Sequence, residues 1–180
     1  SPDSRYAVEH DTMDTTFRSM YLGLSAFLDA NTERRELLLG QRPPRFDSSF
    51  DEAIALTGDD FERVALKAES ARDYFLLVGP PGTGKTSRAL RRMVEHFYAA
   101  SSMQILLLAY TNRAVDEICQ SLSSITPGID YIRVGSELSC DVRFRGHLLE
   151  NILAECNSRR EVNIRMADCR VYVGTVASIA

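Results

Sequence analysis

The chain has 180 residues, the length of one domain, with 44% hydrophobic residues, 26% charged residues and a net charge of −4. This composition excludes disordered and fibrous proteins, and the longest apolar run, residues 105–110, is too short to cross a membrane. Four dispersed cysteines indicate a reducing, cytoplasmic environment, and they argue against zinc. The acidic excess lies in residues 1–78 and the remainder is only mildly basic, so net charge does not indicate nucleic-acid binding.

The first part of the chain is predicted to be helical. Apolar residues from Phe17 to Leu28 recur at three- and four-residue steps, which predicts an amphipathic helix whose stripe faces a core. A similar pattern over residues 61–68 follows Asp59 and Asp60, which suit a helix N-terminus. No residues here have catalytic spacing. Residues 1–72 are therefore predicted to form an α-helical N-terminal extension.

The pattern changes from residue 74 onward. Helical patterns now alternate with short apolar runs of the kind found in buried parallel strands. The predicted strands are residues 74–78, 105–109, 131–134 and 171–173. Such alternation predicts right-handed crossovers and a parallel sheet flanked by helices. Residues 73–180 are therefore predicted to form an α/β domain.

A glycine-rich motif separates the first predicted strand from its helix. Residues 79–86 read Gly-Pro-Pro-Gly-Thr-Gly-Lys-Thr, which matches the phosphate-binding P-loop pattern in its expected context. Lys85, one of only two lysines, would neutralise the β- and γ-phosphates, and Thr86 would ligate Mg²⁺. These two residues are the predicted catalytic groups. The predicted nucleotide-binding residues are Gly79, Pro80, Pro81, Gly82, Thr83, Gly84, Lys85, Thr86 and Ser87.

A second polar site follows the strand at residues 105–109. Thr111 and Asn112 stand at the carboxyl edge of the predicted sheet, where α/β proteins build ligand sites. Their side chains could hold a phosphodiester or simply cap the next helix, and the residues alone favour neither alternative.

Two motifs together resemble a known family. GPPGTGKT at Gly79–Thr86 and TN-x-AVD at Thr111–Asp116 resemble superfamily 1 helicases of the Upf1/Dna2-like branch. Residues 173–178 are similar to motif Ic of that family, and residues 133–135 match its Arg-hydrophobic-Gly pattern. The resemblance covers residues 74–180 and implies a RecA-like motor domain, the first of two.

The resemblance also implies a function. Such a domain couples hydrolysis of ATP, with Mg²⁺, to movement along single-stranded DNA or RNA, and we slightly favour DNA. The counterparts of Thr111, Asn112 and Thr175 contact the strand, and no membrane is involved. A second RecA-like domain is expected to follow residue 180.

The chain departs from the family pattern in two places. The family often has a Gln that reads adenine some twenty residues before the loop, but residues 47–78 contain none. No apolar run ends in Asp-Glu, so the chain is expected to stop before the Walker B motif. We therefore expect the chain alone to bind nucleotide and turn it over poorly.

Two further questions stay open at this stage. The alternative function is a nucleotide-gated regulatory module, or an AAA-type ATPase, without unwinding activity. The arginines between residues 143 and 170 fit either a nucleic-acid contact or a plain charged surface.

Overall fold

The computed structural model describes residues 15–179, and the chain divides into two compact units, residues 1–44 and 45–180. In the first unit, α1 (Thr15–Asp29) and α2 (Thr32–Leu38) are joined at Asn31, whose side chain accepts a hydrogen bond from the Arg34 amide at 2.8 Å. The predicted helix is confirmed. Its predicted burial is wrong, because the apolar stripe of α1 is more than half exposed at Met20 and Leu28.

The second unit is built on a three-stranded parallel sheet. The strands are β1 (Ile105–Ala109), β2 (Tyr131–Val134) and β3 (Val171–Thr175), arranged in the order β1-β3-β2. Ala109 pairs with Thr175 in the register, so the carboxyl ends of β1 and β3 meet at one edge of the sheet. The structure therefore confirms the predicted α/β class, with a parallel sheet flanked by helices.

Helices surround this sheet in the second unit. After a short 3₁₀ turn at Ser48–Phe50, α3 spans Asp51–Leu56 and α4 spans Asp60–Ser70. A π-helical segment at Lys85–Leu90 continues into α5 (Arg91–Ala100), and α6 spans Asn112–Ser123. After two 3₁₀ segments, Glu137–Ser139 and Val142–His147, the remaining helices follow. They are α7 (Leu149–Glu155), α8 (Arg159–Asp168) and α9 (Val176–Ile179).

The core of the second unit lies between α6 and the sheet. Val115, Cys119 and Leu122 on α6 are each at most 1% exposed, and they pack in one cluster with Val171 and Val173 of β3. Cys119 is thus a small residue of the core. α6 is therefore anchored to the sheet by its buried inner face.

One predicted strand is not formed. Residues 74–78 belong to no strand, and Leu76 and Val78 are 75% and 92% exposed. A parallel strand is stable only beside a hydrogen-bonding neighbour that also covers its apolar faces. Among the described residues, neither edge strand of the sheet, β1 or β2, pairs with this segment. The prediction of a strand here was therefore wrong for this structure.

The helix before the P-loop belongs to the second compact unit. α4 begins where the side chain of Asp59 accepts a hydrogen bond from the Phe61 amide at 2.8 Å. It packs against α5, and His96 on α5 bridges Glu62 and Glu69 of α4 at 2.7 and 3.2 Å. This packing places α4 together with α5 in the unit of residues 45–180. The functional boundary predicted at residues 72 and 73 stays a prediction.

Candidate nucleotide-binding site

Backbone conformation at two glycines shapes the P-loop. Gly82 and Gly84 have φ angles of 80° and 81°, in the left-handed region that residues with a side chain rarely adopt. A Cβ at Gly84 would also lie 3.3 Å from Cδ of Arg88 and 3.4 Å from the Phe61 ring. The hydroxyl of Thr83 donates to the carbonyl of Pro80 at 2.8 Å and closes the turn. The loop is thus folded by its own local contacts, with room for a close anion.

The loop leads directly into a helix. The amides of Arg88 and Ala89 both donate to the Gly84 carbonyl at 2.9 Å, so the helix opens with a wide π-helical turn. The Lys85 ammonium donates to the carbonyls of Gly79 and Pro80, at 2.6 Å for Pro80. The lysine therefore folds over the loop, where the oxygens of a phosphate would offer it stronger, charged acceptors. The start of the helix and the position of Lys85 are both compatible with binding the phosphates of a nucleotide.

An open cleft of about 840 Å³ runs along the loop and α6. The residues of α6 that line the cleft recur at three- and four-residue spacing, so they lie on one face of the helix. The remaining part of its lining comes from the segment after β2. The side chains lining the cleft are Pro81, Lys85, Thr86, Ser87, Arg113, Asp116, Glu117, Gln120, Ser121, Asp141 and Arg143, together with Gly82 and Gly84.

A buried ion pair secures α6 beside this cleft. The Arg133 side chain, 1% exposed, donates to the Asp116 carboxylate and, at 3.1 Å, to the Ser139 carbonyl. Burial alone would lower the pKa of Arg133, but the hydrogen bond to Asp116 raises it above its usual value. The Asp141 amide also donates to Asp116, at 3.4 Å. One carboxylate therefore ties together α6, β2 and the segment after β2.

Sequence reasoning missed this pair. Asp116 and Arg133 each fell within a motif of the family resemblance, but nothing in the sequence joined them. Seventeen residues separate them, and only the placement of α6 against β2 brings them together. The available signal was Arg133 itself, which stands between Ile132 and Val134 in a predicted strand and so suggests a buried charge that needs a partner.

A second arginine is held at the lip of the cleft. Arg143 donates from Nε and Nη2 to the two carboxylate oxygens of Asp141, at 3.1 and 2.9 Å. Its Nη1 donates to the side-chain carbonyl of Gln120 at 2.8 Å. The hydrogen bonds from Arg143 lower the pKa of Asp141 to about 2. The sequence left this arginine undecided between a contact and plain surface.

The three predicted nucleic-acid residues lie near one edge of the sheet. Thr111 follows β1 by two residues, and its hydroxyl accepts a hydrogen bond from the Ala114 amide at 3.2 Å, so it caps α6. Asn112 is exposed. Thr175 is 8% exposed, and its hydroxyl is 2.5 Å from the hydroxyl of Ser178. The capping role of Thr111 is thus observed, and the strand-contacting role of all three residues stays a prediction.

Residues 15–179 contain neither a metal-binding cluster nor a membrane-spanning helix. No cluster of three or more His, Cys, Asp or Glu side chains there is arranged to hold a metal ion. No helix in that range has the length and apolar character needed to cross a bilayer. All four cysteines are free.

The loop, its helix and the parallel sheet define a P-loop nucleotide-binding domain of the RecA-like type. A family model described as an AAA domain matches residues 57–169, well over half of the chain. The chain therefore belongs to this family. Its motifs and its relatives identify it further as the motor-domain part of a superfamily 1 helicase of the Upf1/Dna2-like branch.

Three relatives illustrate the similarity. The DNA replication ATP-dependent helicase/nuclease JHS1 of Arabidopsis thaliana is 33% identical over 143 residues, 73% of this chain and 10% of the relative. An uncharacterized ATP-dependent helicase of Methanocaldococcus jannaschii is 28% identical over 73% of this chain and 20% of its own length. A putative ATP-dependent RNA helicase of Saccharomyces cerevisiae, ECM32, is 32% identical over 57% of this chain and 9% of its own length. The chain thus spans a fifth or less of these relatives.

Proposed function

We propose that this chain is the ATP-binding part of a helicase or translocase that moves along single-stranded nucleic acid. The observation that carries the proposal is the shared cleft. The P-loop and the face of α6 line it together, and α6 begins at Thr111 and Asn112, the predicted strand contacts. A single rigid helix thus connects the place for a nucleotide with the edge proposed for the strand.

The P-loop residues account for nucleotide binding. Backbone amides from Gly82 to Ser87 would surround the phosphates, and Lys85 would exchange its loop carbonyls for phosphate oxygens. Thr86 would supply a hydroxyl ligand to Mg²⁺. Bound Mg²⁺ would neutralise charge on the β- and γ-phosphates. In the nucleotide-bound state, this set of residues supplies positioning and charge neutralisation.

Strand binding would occur at the carboxyl edge of β1 and β3. Thr111, Asn112 and Thr175 would contact phosphates of the strand, so binding should depend on salt and little on sequence. Relatives include proteins named as DNA and as RNA helicases, and we slightly favour DNA. We further propose a second RecA-like domain after residue 180 and a cytoplasmic location, for which the four free cysteines are the support.

Titration with a fluorescent ATP analogue tests the nucleotide proposal. Lys85→Ala should weaken binding by about 100-fold, because it removes charge-assisted contacts worth roughly 1.5 to 3 kcal/mol each. Lys67→Ala is the matched control, since Lys67 is the chain's other lysine and lies exposed on α4. Binding that is equally strong in both variants would contradict the proposal.

Fluorescence anisotropy with single-stranded DNA and RNA tests the second part. Binding should weaken with added salt, and Thr111→Ala with Asn112→Ala should weaken it further. Ser124→Ala, at the other end of α6, is the control. Nucleotide binding without any strand binding in the longest available form of the protein would favour the regulatory module.

A further inference from the structure

The cleft beside the P-loop contains an arginine that is held in place and still has donors to offer. A guanidinium has five N–H groups. Three of those of Arg143 are used by Asp141 and Gln120. Among the described residues, the other two, one on each terminal nitrogen, have no acceptor within hydrogen-bond distance. A guanidinium is a planar fork of donors, and these two free N–H groups, one on each prong, are available to the oxygens of a phosphate.

Arg143 differs in its surroundings from Arg113 and Arg133. Arg133 is 1% exposed, and its terminal nitrogens are directed to Asp116 and the Ser139 carbonyl, so it is closed to a ligand. Arg113 is 92% exposed in its side chain, and its nearest carboxylate oxygen, on Glu117, is 3.9 Å away, so it is not held. The Arg143 side chain is 63% exposed and is held at both ends of its guanidinium. The guanidinium of Arg143 is therefore accessible to a ligand. Because its neighbours already hold it in place, binding would cost little further side-chain entropy.

The position of Arg143 selects the part of a nucleotide that it can meet. Arg143 lines the same cleft as Lys85, Thr86 and Ser87, but it comes from the segment after β2 and not from the loop. The loop itself surrounds the phosphates nearest the helix. A phosphate chain that extends beyond the loop would enter the cleft that Arg143 lines.

We propose that Arg143 binds the terminal phosphate of a nucleoside triphosphate held by the P-loop. The inference rests on the proposed nucleotide function and names a residue of the same chain that distinguishes triphosphate from diphosphate. Asp141 and Gln120 would act as positioning residues, because they hold the guanidinium of Arg143 in place. The effect of Arg143 is to make the triphosphate the preferred ligand.

Paired titrations of this chain with a non-hydrolysable ATP analogue and with ADP test the inference, both with Mg²⁺. Arg143→Ala should weaken binding of the triphosphate analogue about 10-fold, the loss expected for one charge-assisted contact. It should weaken binding of ADP less than about 2-fold. Arg143→Lys keeps the charge without the fork and should give an intermediate loss. Arg145→Ala is the matched control, because Arg145 lies two residues further along the same 3₁₀ segment, pairs with Glu137 and does not line the cleft.

The possible results separate this inference from the proposal beneath it. If wild-type chain shows no binding that depends on Lys85, the nucleotide function fails and the inference fails with it. If binding depends on Lys85 but Arg143→Ala leaves both affinities unchanged, or weakens both equally, only the inference is overturned. Arg143→Ala that weakens single-stranded DNA binding and leaves the triphosphate affinity intact would also overturn it. Circular dichroism melts of each variant show that the compared proteins are folded.

Discussion

Two segments of the second unit, α6 and residues 74–78, are held in opposite ways. The helix α6 is held by its buried inner face and by the ion pair between Asp116 and Arg133. The segment at residues 74–78, just before the P-loop, has no strand partner among the described residues and leaves Val78 92% exposed. Yet the loop that follows this segment has the left-handed glycines that phosphate binding requires.

The P-loop and α6 depend on different kinds of contact, local in the loop and tertiary in the helix. A glycine-rich loop is built by contacts within a few residues, so it forms whether or not the strand before it is paired. A helix that must present charged groups at fixed places needs a core beneath it. We therefore expect substitutions around α6 to change stability, and substitutions in the P-loop segment to change binding alone.

The largest effect should come from a matched pair of leucines. Leu122→Ala removes a side chain that is 1% exposed and should lower the free energy of unfolding by about 2 to 5 kcal/mol. Leu76→Ala removes one that is 75% exposed and should change it by less than about 0.5 kcal/mol. Urea unfolding followed by circular dichroism measures both. A large loss for Leu76→Ala would mean that residues 74–78 are packed after all, and the contrast would disappear.

A smaller effect should appear at alkaline pH. Burial raises the pKa of the Cys119 thiol to about 11, above its usual value of 9.0, so the folded state favours the neutral thiol. This contribution is fully present below pH 9 and is lost as the pH rises through 11, with a maximum of about 2 to 3 kcal/mol. The free energy of unfolding, measured at pH values between 8 and 11, should therefore fall more steeply with pH for wild type than for Cys119→Ala. Parallel curves would show that the thiol is accessible to solvent and that this part of the core is looser than described.

The smallest effect should be at the start of α6. Thr111→Ala removes the hydroxyl that accepts a hydrogen bond from the Ala114 amide and should cost about 1 kcal/mol of stability. Thr111→Ser keeps a capping oxygen and should stay close to wild type. Comparing strand binding by the two variants separates capping from contact. If Thr111→Ser binds the strand as wild type does and Thr111→Ala is fully folded but does not, the hydroxyl itself makes the contact.

Local patterns predicted much of the fold. The spacing of apolar residues predicted α1 and α4, an alternation of helices with strands after residue 74, and the three strands of the sheet. It failed for α8, whose residues show no apolar stripe, because this short helix is highly charged and buries none of its residues. It also failed at residues 74–78, because an apolar run reports a tendency to be buried and says nothing about whether a neighbouring strand is present.

The candidate site divides in the same way. The sequence by itself determined the P-loop and the family, because each depends on residues adjacent in the chain, whereas it left the cap at Thr111 as one of two alternatives. Only the tertiary structure decided that Asp116 meets Arg133, and that Arg143, held by Asp141 and Gln120, lines the cleft of Lys85. Asp116 and Arg133 are 17 residues apart in the chain, and Gln120 and Arg143 are 23 residues apart. These contacts arise because a parallel sheet brings the carboxyl ends of distant strands to one edge.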